Sequence, residues 1–231
     1  MCTDCGCGDT KLVPVDLHEK LLAANDRTAW HNRAHFREHG VFALNLMGSP
    51  GSGKTALLEA TARAGKFKLG AVSGDLATDR DGQRLRLAGI PAKTITTGSA
   101  CHLDAELVHE ALHDFDLDGL DTFVIENVGN LVCPAIYDLG EHARAVALSV
   151  TEGLDKPIKY PAMFRKADVV LLTKIDLLPY LSEVSVAGFR EALAEVMPDV
   201  QLIPLSAKTG EGVPEWLAWL RARVAGLARV A

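Results

Sequence analysis

Val41-Phe42-Ala43-Leu44-Asn45-Leu46-Met47-Gly48-Ser49-Pro50-Gly51-Ser52-Gly53-Lys54-Thr55 is the stretch that decides the fold. It opens with a mostly apolar run of the length of a buried strand, and its last eight residues match G-x-x-x-x-G-K-[ST] in full. A strand, this loop and a following helix form the context in which glycines let main-chain N–H groups converge on phosphate oxygens. The positive end of the helix lies behind them. Gly48, Ser49, Pro50, Gly51, Ser52 and Gly53 are therefore the expected phosphate cradle. Lys54 is the cation for the β- and γ-phosphates, and Thr55 is a Mg2+ ligand.

Outward from this loop the chain alternates. The stretches 69–73, 92–96, 122–126, 144–150, 169–173 and 201–204 read as strands. Helical periods span 16–39, 54–64, 80–88, 104–113, 186–196 and 213–228, the first ending at Gly40. Such alternation predicts an α/β fold, a P-loop NTPase with a mostly parallel sheet flanked by helices. In that fold ligands gather at the carboxyl ends of the strands, and the remaining motifs fall there. The expected organisation is a Cys-rich tail over 1–13 and one GTPase domain over 14–231 that includes the first helix.

Base selection rests on two strand ends. Thr173-Lys174-Ile175-Asp176 is similar to the guanine motif N-K-x-D, with Thr in place of Asn. The Asp176 carboxylate can accept from the guanine N1–H and 2-amino group, which adenine does not offer, and the Lys174 stem can cover the base. Ser206-Ala207-Lys208 is similar to the S-A-K motif that supports the other edge of guanine. Together they favour GTP over ATP. Asp75 and Glu126, each ending a strand, are expected to complete the Mg2+ site with Thr55, and the Gly129 amide to sense the γ-phosphate. Asp79 and Asp81 read either as part of this site or as a helix N-terminal cap.

Five cysteines occur in the chain, three of them in the first seven residues. Cys2, Cys5 and Cys7 form C-x-x-C-x-C in a segment too short and polar to bury them. With the α-amine of Cys2 freed by loss of Met1, one nitrogen and three sulfurs suit square-planar nickel; a redox-active tail is the other reading. Cys101, His102 and Cys133 offer thiolate and imidazole near the nucleotide edge, either as Ni2+ or Zn2+ ligands or as buried structural cysteines beside a surface histidine. His31, His35 and His39 are spaced by four on the first helix, and they read as a solvated face rather than a metal site.

Charge and hydropathy exclude other classes. The 231 residues carry a net charge of −6, with 48% hydrophobic and 23% charged residues, and no long basic run. Nucleic acid and anionic membrane are poor partners for such a surface. No apolar run approaches a spanning length and the start lacks a secretory pattern, so the expected compartment is the cytoplasm.

The set Gly48–Thr55, Gly74-Asp75, Cys101-His102, 126–134 (Glu-Asn-Val-Gly-Asn-Leu-Val-Cys-Pro) and Thr173–Asp176 resembles the hydrogenase nickel-incorporation GTPases, the HypB family. The stretch 151–161 and the Cys2, Cys5, Cys7 tail resemble the same family. The resemblance implies a GTP-dependent homodimer that binds Ni2+ or Zn2+ through its Cys-His and Cys loops. It implies slow GTP hydrolysis coupled to nickel delivery to the precursor large subunit of [NiFe]-hydrogenase, with a HypA-type metallochaperone as partner. A His-rich storage stretch is absent. Alternatives are a urease-type accessory GTPase, whose Cys-Pro-His motif is not found here, a metal-storage protein stabilised by nucleotide, and an ATP-dependent small-molecule kinase.

Overall fold

The computed structural model describes residues 15–65, 67–98, 100–199 and 201–227. The helix α1 (Val15–Glu38) leads into β1 (Phe42–Gly48), whose seven residues are all buried. Then follow α2 (Lys54–Arg63), β2 (Leu69–Asp75), α3 (Arg80–Leu87), β3 (Ala92–Thr96), α4 (Ala105–His113) and β4 (Thr122–Glu126). The second half holds β5 (Ala143–Ser149), α5 (Lys156–Lys159), α6 (Pro161–Arg165), β6 (Val169–Thr173), α7 (Val186–Ala194), β7 (Gln201–Pro204) and α8 (Val213–Leu227). All seven strands pair in parallel, in the order β3-β2-β4-β1-β5-β6-β7. β1 is thus central, and the chain reverses its winding on either side of it. The phosphate loop sits at that switch point, where an open parallel sheet leaves a crevice.

Both faces of the sheet are covered, which is why its strands read as continuous apolar runs. Leu44 and Leu46 of β1 point to the α2 and α8 side and join Leu57, Leu58, Trp216 and Leu220. Ala43, Phe123 and Ile125 meet Phe36 of α1 and Val108 and Leu112 of α4 on the opposite face. Met47, Val146, Leu148, Val170 and Leu172 pack on Met163, Phe164, Phe189 and Leu193. Full burial of each such side chain contributes roughly 1.5–3 kcal/mol. Side chains also pin α1 to α4 and to the loop before β5. Asn32 donates to the carbonyls of Ala105 and Leu139 at 2.9 and 3.1 Å, and Arg33 reaches the Asp138 carboxylate at 2.6 Å.

Two features depart from the sequence reading. The strand expected over 144–150 ends at Ser149, and a 3-10 turn (Val150–Glu152) and the short helices α5 and α6 follow it, where beyond Val150 neither strand nor helix is expected. Apolar periodicity cannot build over four or five residues, so these turns left no pattern. Asp79 occupies the cap position of α3 but makes no side-chain cap bond; its carboxylate pairs with Arg86 and Thr94 instead. The α4 cap does work as a cap: Asp104 accepts from the Leu107 N–H at 2.9 Å. Among the described residues no helix is long and apolar enough to cross a membrane.

Candidate nucleotide and metal sites

The phosphate loop leaves β1 through Gly48 at φ +148°, where an added Cβ would meet the Ala147 carbonyl oxygen at 2.4 Å, so no side chain fits. Gly51 and Gly53 also have positive φ, at +72° and +95°, which only glycine adopts without strain. Lys54 curls back to donate to the carbonyls of Gly48 and Ser49 at 3.3 and 3.1 Å. Burial lowers its pKa, while Glu126, Asp81 and Glu152 pull the other way. The Ser52 hydroxyl is buried behind Gly48 and has no hydrogen-bond partner among the described residues.

A cavity of about 400 Å³ opens beside the loop, lined among others by Gly53, Lys54, Thr55, Asp75, Glu126 and Gly129. Thr55 donates to Glu126 at 2.6 Å, and Ser73 touches the second oxygen of that carboxylate at 3.5 Å. Burial pushes the Glu126 pKa up to about 7, despite the Thr55 bond and the Lys54 charge. A buried carboxylate that is hard to ionise, beside a hydroxyl, is a donor set that fits a divalent cation with oxygen preference. Asp75 sits at the rim. Its carboxylate is bound by the N–H groups of Ala77 and Thr78, which outweigh burial and hold its pKa below the usual value. Asp81 and Arg84 also line this cavity, with Arg84 held by Glu59 at 2.9 Å. Arg84 is not legible as a site residue in the sequence, because a charged residue on a helix reads as solvated.

The expected base-reading segment is tied to the phosphate loop. The Thr173 hydroxyl donates to the Ser52 carbonyl at 2.6 Å, and Lys174 reaches the Gly51 carbonyl at 2.6 Å. Lys174 adopts φ +61°, a left-handed conformation rare for a non-glycine residue, which turns the chain sharply after β6. Asp176 accepts from Ser206 at 2.6 Å, so the two motifs meet across the ends of β6 and β7. Ala207 and Lys208 border a neighbouring hollow against α2 and α8 rather than the phosphate cavity. Ser49 donates to Glu152, which also closes a capping box with Ser149; this link from the 151–161 stretch to the loop was not foreseen.

Cys101, His102 and Cys133 converge, with their ligand atoms all within 4.8 Å of one another. The two sulfurs are 3.0 Å apart, and Cys101 Sγ lies 3.9 Å from His102 Nδ1. The contact with Cys101 raises the Cys133 pKa, and burial adds to it. Burial lowers the His102 pKa, which favours the neutral imidazole that binds metals. The Tyr137 ring stacks on His102 at 4.2 Å. Cys101 is exposed and Cys133 half-buried, so the reading of two core cysteines does not describe them. Cys2, Cys5 and Cys7 lie outside the described residues.

The comparisons agree with this geometry. Residues 42–204 match the family model described as CobW/HypB/UreG, nucleotide-binding domain. The hydrogenase maturation factor HypB of Azotobacter chroococcum is 49% identical over 213 residues, covering 89% of this chain and 68% of that protein. A hydrogenase/urease maturation factor HypB from Helicobacter hepaticus is 42% identical over 203 residues, covering 86% and 84%. The crystal structure of HypB from Helicobacter pylori in complex with nickel superposes with a TM-score of 0.84 at 39% identity, covering 88% of this chain and 96% of that one. With its phosphate loop at the switch point and its Cys-His-Cys cluster beside it, the chain belongs to the HypB family of hydrogenase maturation factors, in the CobW/HypB/UreG group of nucleotide-binding proteins.

Proposed function

We propose that this protein is a slow GTPase that uses the nucleotide state to hold and release nickel on its way to the precursor large subunit of [NiFe]-hydrogenase. The observation that carries this reading is the shared loop 126–133. It starts at the buried carboxylate beside Thr55, passes Gly129 at the phosphate cavity and ends at Cys133 beside Cys101 and His102. GTP is preferred because Asp176, positioned by Ser206, accepts from the guanine donors. Lys54 and the loop amides carry the phosphate charge, and Thr55, Glu126 and Asp75 would hold Mg2+, which when bound supplies charge neutralisation on the phosphates. The Cys101, His102 and Cys133 set takes Ni2+ or Zn2+, and three ligands per chain leave room for a second copy in a GTP-dependent dimer. A HypA-type metallochaperone is the proposed partner for nickel exchange, and the proposed setting is the cytoplasm. The Helicobacter hepaticus relative named for both hydrogenase and urease gives a second client reading for a chain without a Cys-Pro-His motif.

The test is turnover by the purified protein with GTP and ATP, alongside Lys54→Ala. GTP turnover well above ATP turnover, abolished in the variant, is expected. Equal use of both nucleotides, or unchanged turnover without Lys54, would sink the GTPase reading.

A further inference from the structure

The helix α4 begins three residues after His102 and carries two more histidines, His109 and His113, one turn apart on its far half. Their Nε2 atoms lie 3.1 Å from each other. At metal–nitrogen distances of about 2.0–2.1 Å, that separation subtends roughly 100° at an ion between them, an angle suited to tetrahedral or square-planar coordination. The tautomer is fixed from behind. Asn32 is buried, and its amide nitrogen donates to the carbonyls of Ala105 and Leu139. Its side-chain oxygen is thereby left to face His109 Nδ1 at 2.9 Å. An amide oxygen only accepts, so His109 carries its proton on Nδ1 and presents a lone pair on Nε2. A metal-binding histidine is oriented in this way, by donating its other ring N–H to an oxygen behind it.

A cavity of about 430 Å³ lies over this pair and is bordered by His35 and His39 of α1, which faces α4. His39 is held through Nδ1 by the Asp118 carboxylate at 2.8 Å, again leaving Nε2 free, and packs edge-on against His35 with ring centres 4.8 Å apart. Burial and the neighbouring His39, His109 and His113 keep the His35 pKa low, with only Glu38 opposing. Four imidazoles thus border one cavity, with the Nε2 atoms of His109 and His113 adjacent on one side of it. The sequence spacing of His31, His35 and His39 reads as a solvated face, because the opposing pair on α4 is 70 residues or more away in sequence.

We propose that His109 and His113 form the core of a second transition-metal site, with His35 turning in as a third imidazole, that takes a borderline divalent cation such as Ni2+ or Zn2+. It is all-nitrogen and one helix removed from the thiolate site at Cys101, His102 and Cys133. Imidazole suits such ions, and with no thiol in its ligand set the site is insensitive to thiol oxidation, unlike its sulfur neighbour.

The experiment uses the full chain with Cys2, Cys5, Cys7, Cys101 and Cys133 all replaced by serine, dialysed against NiCl2 alone. One retained Ni2+ equivalent, without the sulfur-to-nickel charge-transfer absorption, is expected. Adding His113→Gln, at an exposed position that does not threaten the fold, should weaken that equivalent at least tenfold. His109→Gln with His113→Gln should remove it. In the wild-type chain, Zn2+ titration followed by imidazole 15N NMR should move the Nε2 signals of His109 and His113 while the His109 Nδ1–H persists. No nickel bound to the serine background, or binding unchanged by both histidine substitutions, would overturn the site. GTP turnover is independent of this outcome, so its failure and that of the GTPase reading are separable.

Discussion

Asn130 forms an isolated antiparallel bridge with Gly48, the first residue of the phosphate loop, and its side-chain amide donates to the carbonyl of Cys101 at 3.2 Å. One residue thus touches the nucleotide cradle through its backbone and the thiolate cluster through its side chain. Gly129, its neighbour, lies so close to the loop that an added Cβ would be 2.8 Å from Pro50 Cα. A shift of the loop on phosphate binding should therefore displace the segment leading to Cys133. GTP and metal should each tighten the other's binding by about 1–3 kcal/mol, or roughly 5- to 150-fold, because linkage is reciprocal. Nickel affinity measured in GDP and in a non-hydrolysable GTP analogue, on protein lacking residues 1–7, checks this. Cys133→Ala should erase the difference. Identical affinities in the two nucleotide states would make the cluster structural.

The base contact is tested at Asp176. Asp176→Asn should lose the guanine donors' partner, costing roughly 1–3 kcal/mol of nucleotide affinity, and shift preference towards xanthine nucleotides. Competition of GTP and XTP for the variant measures it. A variant that still prefers GTP by the wild-type margin would place base recognition elsewhere.

The cysteines of the first seven residues can be tested separately. Deleting residues 1–7, or replacing Cys2, Cys5 and Cys7 together, should remove one tight nickel equivalent and leave GTP turnover nearly intact. Nickel counted per chain at saturation, before and after truncation, gives the answer. The same number and affinity in both would mean that these thiols do not ligate.

Acid sensitivity is expected from His142. Its Nδ1 accepts the Ala43 N–H at 2.9 Å, and burial, with Arg37 and Arg33 nearby, lowers its pKa to about 4. The unfolded chain binds this proton at the ordinary value near 6.5, the folded chain only near 4. Its contribution is therefore whole above pH 6.5 and is lost as pH falls towards 4. The full shift corresponds to about 3 kcal/mol, and partial exposure of the ring reduces it to on the order of 1–2 kcal/mol. Urea denaturation at pH 7 and pH 5 should show the loss, and His142→Asn should flatten it. An equal pH slope in that variant would assign the acid sensitivity to other groups.

The phosphate loop, the strand ends and the ligand types were legible because each is local: eight residues, four residues, one thiol. Neighbourhood was not. The seven strands give no sign of their order in the sequence, since an apolar run carries no record of which run lies beside it. Cys101 and Cys133 are 32 residues apart, and only the parallel placement of β2, β3 and β4 brings their loops together. Arg84 and the pair His109 and His113 were missed for a related reason. A polar residue on one helix face looks solvated until the facing helix is known.

Thr173 stands where the guanine motif has Asn, and the difference can be counted in protons. A threonine hydroxyl has one hydrogen to give. Here it is shared between the carbonyl of Ser52 at 2.6 Å and that of Leu148 at 3.4 Å. An asparagine amide has two, enough to brace the loop and still face the nucleotide. In this chain the bracing exhausts the supply. No hydroxyl hydrogen at position 173 remains for a base, which puts the proposed discrimination among purines on Asp176 and the Ser206–Lys208 segment bonded to it.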